Sequence, residues 1–270
     1  MADRVRRRVR LGLVATLLAL AAAAGAGCFA DILGSGDGPA TARQTFEYDT
    51  DRASTSRLRL FGKSGNVTVT AVAGSDSIRI RASLEVTADN ADEAAAGLSE
   101  FWVDVDQRTS ELIVTTAQPS GLDTRDYVAH YEIEVPQFMF VFVRNVSGDI
   151  TMNGIGGDLY IQNGSGMIKL NDSFGSATVQ IANGSVAARV FLPLFGTLFV
   201  STGNGDIDVA IPEDTSAELL ATAGNGTVSV QNLTVSTEYQ TSNAISGQLG
   251  DGLGIIQLAS TNGSVTLVGY

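Results

Sequence analysis

Leu198-Phe-Val-Ser-Thr-Gly-Asn-Gly-Asp-Ile-Asp-Val209 is the stretch that decides the fold. Counted from Gly205, apolar residues stand at −7 and −5 (Leu198, Val200) and at +2 and +4 (Ile207, Val209). Asn204 precedes the glycine. Period-two alternation on both sides of a turn pair describes two half-buried strands joined by a tight bend. Glycine accepts positive φ at that bend, and Asn or Ser satisfies local backbone groups.

The same template recurs through Val141 to Val230. Gly148 has Val141, Val143, Ile150 and Met152; Gly166 has Leu159, Ile161, Ile168 and Leu170. Gly184 has Ala177, Val179, Val186 and Ala188; Gly226 has Leu219, Ala221, Val228 and Val230. Two more copies lie outside this run, at Gly65 (Leu58, Leu60, Val67, Val69) and at Gly263 (Ile256, Leu258, Val265, Leu267). The residue before the glycine is always Ser or Asn: Ser64, Ser147, Ser165, Asn183, Asn204, Asn225, Asn262. From Gly148 to Gly226 the steps are 18, 18, 21 and 21 residues. One such hairpin cannot bury its apolar face alone, whereas stacked copies share a core. The constant spacing therefore favours an all-β solenoid of stacked two-strand rungs over a row of independent hairpins in a sandwich. The step of 37 from Gly226 to Gly263 leaves room for one degenerate rung around Ile245-Ser246-Gly247.

Upstream of the repeats, Ile78, Ile80, Ala82, Leu84 and Val86 alternate with polar residues as a strand. Asp89 to Phe101 is the one helix, capped by Asn90 with Glu93 three residues on. Two strands flank Gln107-Arg-Thr-Ser110, and Tyr127 to Val135 is a strand that Pro136 ends. Residues 138–143 and 191–195 are apolar on both faces and are read as buried between layers, with an exposed partner-binding patch as the alternative.

The N-terminus is an address. Arg4, Arg6, Arg7, Arg8 and Arg10 precede the uncharged apolar run Leu11 to Ala24, and Gly25-Ala-Gly-Cys28 closes it. A basic region, a short apolar region and small residues define an export signal, too short for a spanning helix. Cys28 is the single cysteine of the 270 residues, so it forms no internal disulfide. Ala26-Gly-Cys28 resembles the end of a bacterial lipoprotein lipobox, with Gly25 standing where Leu is usual. That resemblance implies acylation of Cys28 and a soluble body tethered to the membrane. Phe29 to Gln44, with Gly34-Ser-Gly-Asp-Gly-Pro39, reads as a spacer. The chain thus divides into a signal peptide (1–27), a flexible tether (28–45) and a β-strand-repeat domain (46–270). Within that domain 46–136 is less regular, 137–230 holds regular rungs, and 231–270 holds degenerate final ones.

Losing residues 1–27 removes five Arg and one Asp, leaving 12 cationic against 28 acidic side chains, a net charge of −16. Such a body repels nucleic acid and anionic lipid, and its acidity favours solubility. Catalytic chemistry is sparse. His130, the one histidine, alternates with Glu132 and Glu134 on an outward face, which leaves neither a His-based triad nor a multi-His zinc site. Gly203-Asn-Gly-Asp-Ile-Asp208 is similar to a calcium-binding β-roll motif, but the period is about twice nine and no Asp ladder follows. Asp206 and Asp208 share a solvent face by strand geometry alone. No cofactor or metal is expected. The residue after the glycine varies (Asn66, Asp149, Met167, Ser185, Asp206, Thr227, Ser264), so specificity is expected there and in inserted loops.

Val146-Ser-Gly-Asp-Ile150, Gly203-Asn-Gly-Asp-Ile207, Gly224-Asn-Gly-Thr-Val228 and Ile133-Glu-Val-Pro136 carry a resemblance to a bacterial β-strand-repeat family usually labelled "putative adhesin". It covers roughly Phe46 to the C-terminus. It implies a β-solenoid-like fold on exported or membrane-tethered proteins, an unassigned activity and no catalytic residues. The expected function is a lipid-anchored, non-enzymatic scaffold or adhesion module of the bacterial cell envelope, in the outer membrane or on the outer face of the cell membrane. Its partner would be an envelope protein or glycan. The alternatives are a carbohydrate-active envelope enzyme on a β-helix and an accessory of an envelope stress pathway.

Overall fold

The computed structural model describes residues 6–7, 30–33, 38–51, 55–120 and 124–270. Each template copy is one rung. It runs along a first sheet, turns at its glycine and returns along a second. The Gly148 rung, for example, is Phe140–Ser147 followed by Ile150–Asn153, and the Gly205 rung is Thr197–Asn204 followed by Ile207–Ile211. Neighbouring rungs pair in parallel and in register. The −7 residues Leu58, Val141, Leu159, Ala177, Leu198, Ile256 and Leu219 consequently form one file through the core. The +2 residues Val67, Ile150, Ile168, Val186, Ile207, Val265 and Val228 form a facing file in the second sheet. All but Val228 are buried, and each fully buried aliphatic side chain contributes about 1.5–3 kcal/mol.

The bends hold the two sheets together. Gly148 and Gly184 have φ of +116° and +144°. A Cβ on Gly148 would overlap the carbonyl oxygen of Gly65, and one on Gly184 that of Gly166. The same holds along a continuous column Gly65–Gly148–Gly166–Gly184–Gly205–Gly263–Gly226, which starts against the backbone of Ala129. Glycine is needed here for backbone contact between rungs and, at all but Gly226, for φ as well. The close approach keeps the ladder unbroken through the turn. Gly148 N–H donates to Ser165 C=O at 2.9 Å, and Gly184 N–H to Asn204 C=O at 2.7 Å.

The stacking order departs from chain order. The Gly263 rung sits between the Gly205 and Gly226 rungs, so the Gly226 rung is outermost. Ile245-Ser246-Gly247 forms no rung. It lies in Ala244–Leu249, antiparallel to Ala217–Asn225, and Val235–Gln240 completes this terminal hairpin. Nor is the final rung degenerate, since Ile256, Leu258, Val265 and Leu267 are all fully buried. The physical reason is burial. The stronger apolar quartet takes the interior place, and the weaker one, with Val228 and Val230 half-buried, takes the end.

The other end is closed by strands lacking the template. Glu111–Ala117 and Trp102–Gln107 extend the first sheet; Asp126–Pro136, Ser77–Ala88 and Ala40–Asp51 extend the second. The helix, Ala91–Ser99, is capped by Asn90 Oδ1 accepting from Glu93 N–H at 2.9 Å, and it buries Ala94 and Leu98. The segment read as a tether is partly strand. Ala40 to Gln44 pairs with Leu84 to Ala88, burying Ala40 and Ala42, and Ala30–Leu33 pairs with Thr41 to Gln44.

Gly74 offers an internal control, because its φ is +72° but a Cβ there meets nothing. Gly74→Ala should cost about 1–2 kcal/mol, the backbone term alone. Gly184→Ala should cost about 2–5 kcal/mol, because overlap with Gly166 adds an overpacking penalty. Urea melts of the two variants measure the difference, and equal midpoints would remove the steric role of the column.

Candidate functional site

Cys28 lies outside the described residues. The residues around the seven glycines are committed to holding rungs together. Three positions before the glycine, inward polar side chains take up the carbonyl of the neighbouring glycine. Asn145 Nδ2 donates to Gly65 C=O at 3.0 Å and Asn163 Nδ2 to Gly148 C=O at 2.8 Å. Thr202 Oγ1 and Ser260 Oγ do the same at Gly184 and Gly205, both at 2.8 Å. All four side chains are buried. Sequence reasoning missed this file because the apolar quartet skips the −3 position. The residue before the glycine builds a second file on the outside, an amide ladder Asn183–Asn204–Asn262–Asn225 with contacts of 2.7–2.8 Å.

The variable residue after the glycine is constrained too, which corrects the expectation that specificity sits there. Asp149 N–H donates to Asn66 Oδ1 at 2.9 Å, Met167 N–H to Asp149 Oδ1 at 2.7 Å, and Ser264 N–H to Asp206 Oδ1 at 2.8 Å. Ser185 and Ser264 cap Asp206 and Thr227 in the same way. His130 Nδ1 begins the file by accepting from Asn66 N–H at 3.1 Å. An acceptor side chain at this position caps the next rung's backbone, and Met167 is the one residue of the seven that lacks the oxygen. Among the described residues no group of three or more His, Cys, Asp and Glu stands together as metal ligands.

The apolar segments divide strand by strand. Met139, Val141 and Val143 are buried, while Phe140 and Phe142 point outward and are half-buried. Phe138 (68% exposed), Leu194 (68%) and Phe195 (73%) project at turns on the edge away from the glycines. Phe195 holds a left-handed φ of 63° at the tip of the longer Gly184-to-Gly205 connection.

The outer face of the first sheet presents the most distinctive arrangement. On the Gly65 rung Arg57, Arg59, Phe61 and Lys63 point outward; on the adjoining Gly148 rung it is Phe140, Phe142 and Arg144. The register places Arg57 beside Phe140, Arg59 beside Phe142 and Phe61 beside Arg144. Arg59 lies 5.1 Å from both the Phe61 and Phe142 ring centres, and Arg57 is 5.7 Å from Phe140. Phe142 stacks on Tyr160 of the next rung at 5.3 Å with planes 3° apart. Gln162 Nε2 then donates to Tyr160 Oη at 3.0 Å and to Gln180 Oε1 at 2.9 Å. Cations, rings and amides thus run in order across four rungs. The signal was present in the even positions −8, −6 and −4 of each copy. Reading it required knowing that two rungs 83 residues apart are neighbours.

Among the described residues, the acid held furthest from its ordinary value is structural. Burial pushes the Tyr131 phenol up to about 12, and its hydroxyl shares a 2.7 Å hydrogen bond with Thr116 between the sheets. Its ordinary value is 10.0, so the unfolded chain loses this proton first. The stability it contributes is full below pH 10 and falls as pH rises through about 12. Tyr131→Phe should abolish that alkaline loss in chemical denaturation at stepped pH. At neutral pH it should cost about 1–2 kcal/mol, because the Thr116 hydroxyl loses its partner.

Two mainly parallel sheets of stacked rungs, joined by a file of bend glycines, define a β-solenoid repeat protein. The family profile described as Toastrack DUF4097 matches residues 46–268, and the chain belongs to that family. No curated protein matches it. Among solved structures, a "putative cell adhesion protein" of Clostridium sporogenes is 9% identical, with a TM-score of 0.44 over 84% of this chain and 100% of its own. A "putative adhesin" of Bacteroides fragilis is 14% identical, with a TM-score of 0.37 over 84% of this chain and 97% of its own.

Proposed function

We propose that the chain is a lipid-anchored, non-enzymatic protein of the bacterial cell envelope, and that it offers the outer face of its first sheet to an envelope partner. The observation behind the reading is the row Arg57, Arg59, Phe61, Phe140, Phe142, Arg144 and Tyr160, held on adjoining strands by main-chain ladders. Rigid strands keep such side chains preorganised, which lowers the ordering cost of binding. Acid–base catalysis has no comparable support. Asp206, in the bend, and Asp208, on the strand after it, are both exposed, and Asp206 is occupied in capping Ser264. No helix among the described residues is long and apolar enough to cross a membrane. The anchor is assigned to an acylated Cys28 on the lipobox-like Ala26-Gly-Cys28.

Anchor and contact separate experimentally. Wild-type protein should take up labelled fatty acid and fractionate with membranes, whereas Cys28→Ser should do neither. The released Cys28→Ser protein should still sediment with isolated envelope fragments stripped of lipid. Equal membrane partition without label in both forms would refute the anchor. Failure of the released protein to sediment would refute the contact function.

A further inference from the structure

We propose that the outer face formed by the Gly65, Gly148 and Gly166 rungs binds an acidic polysaccharide, a polymer of sugar rings carrying carboxylates. This rests on the envelope-contact reading and names the ligand class of the same face.

Cations without a carboxylate partner gather on this face. Arg43, Arg79, Arg81, Arg108, Arg125 and Arg189 each contact a carboxylate at 2.9–3.4 Å. Arg57, Lys63 and Arg144 have no carboxylate partner among the described residues. Arg59 reaches Glu111 only at 3.8 Å, and Arg108 holds that group's other oxygen at 3.0 Å. With acids outnumbering cations 28 to 12 after residue 27, a free cation is easily neutralised on this surface. Arg57 and Arg144 stand on adjoining strands and Lys63 in the turn after the first of them, all on one outer face, leaving two guanidinium forks and an ammonium open to external carboxylates. Lys169 also has no carboxylate partner among the described residues, but it lies on the second sheet.

Aromatic rings interleave with these cations. Phe61, Phe140, Phe142 and Tyr160 are half-buried, packed against Arg57, Arg59 and one another, so they present an apolar surface of ring edges without projecting anchors. A sugar ring has an apolar C–H face that suits such a surface and hydroxyls that suit Gln162, Gln180 and Thr178 beside it. Neighbouring strands are about 4.8 Å apart and outward positions along a strand about 7 Å apart. An extended polymer crossing the strands therefore meets a ring, a cation or an amide at each step. A protein partner would favour projecting apolar anchors at the centre of the face, whereas Phe138 and Val146 stand at the two ends of the Gly148 strand and Leu194 and Phe195 at a turn beyond the face. Double-stranded nucleic acid carries one charge per about 1.7 Å of axis, denser than one carboxylate per sugar, and is opposed more strongly by the −16 body.

The test titrates the whole chain with polygalacturonate, dextran and single-stranded DNA at low salt. The triple variant Arg57→Gln, Lys63→Gln, Arg144→Gln is compared with Phe142→Ala, Tyr160→Ala and the control Lys169→Gln. Wild type should bind polygalacturonate roughly tenfold or more tighter than dextran, and the triple variant should lose roughly tenfold or more, from three exposed charge pairs. Either aromatic variant should weaken binding while its thermal melt shows it still folded at the titration temperature, and Lys169→Gln should leave binding intact. No binding to polygalacturonate, or binding untouched by the triple variant, overturns the proposal. So does DNA binding of equal strength with the same sensitivity, which would mark a general polyanion patch. If polygalacturonate fails while the protein still sediments with envelope fragments, this inference alone falls; loss of both removes the wider reading.

Discussion

At each bend the carbonyl of one glycine occupies the space where a Cβ on the next rung's glycine would stand. The rest of the fold depends on that backbone-to-backbone approach. It lets the parallel ladder cross from one sheet to the other without a gap. It also turns the glycine carbonyl inward, where it needs a donor. Asn145, Asn163, Thr202 and Ser260 supply one from the rung above. The amide ladder before the glycine and the oxygen caps after it follow from the same close stacking. A turn of this kind is therefore defined by its neighbours, not by its own hydrogen bonds, and a rung has no independent existence.

Much of this was legible in the amino-acid sequence. Strand positions, the inward quartet and the bend all follow from period two and from Ser/Asn-Gly. The template is local, and each copy states it in full. Two things were not legible, for one reason. The order of stacking and the composition of the outer face both depend on which rungs touch. The steps Gly184 to Gly205 and Gly205 to Gly226 are both 21 residues. The first joins neighbours, and the second leaps over a place that the C-terminal rung fills. Connection length does not encode that choice; the relative apolar strength of the competing quartets does. Likewise Arg59 and Phe142 become partners only when rungs far apart in the chain adjoin. The acceptor role of the residue after the glycine was hidden by its chemical variety, since Asn, Asp, Ser and Thr all supply the oxygen.

The division of labour has a functional consequence. Inward faces build the core, and the glycine edge is spent on stacking. What is left for recognition is the outer surface of the sheets and the turns opposite the glycines. On the second sheet, arginines near the N-terminal end are matched to acids, as in Arg79 with Asp49 and Glu134 and Arg81 with Glu47. On the first, cations alternate with rings and are largely unmatched. Exposed ion pairs add little to stability, so the matched set speaks mainly to solubility. The unmatched set is where a charged partner gains most.

The stacking order is the most direct test of the account, because it separates a glycine-column solenoid with an inserted final rung from one stacked in chain order. Cysteine pairs placed in the Asn ladder, in a Cys28→Ser background, read it out. Asn204 and Asn262 adjoin, with side-chain atoms 2.8 Å apart, and backbones one strand spacing apart, about 4.8 Å, suit a disulfide. Asn204 and Asn225 are two spacings apart, about 9.6 Å, beyond disulfide reach. Mild oxidation should cross-link Asn204→Cys with Asn262→Cys and leave Asn204→Cys with Asn225→Cys as free thiols. Cross-linking of the second pair and not the first would contradict the account.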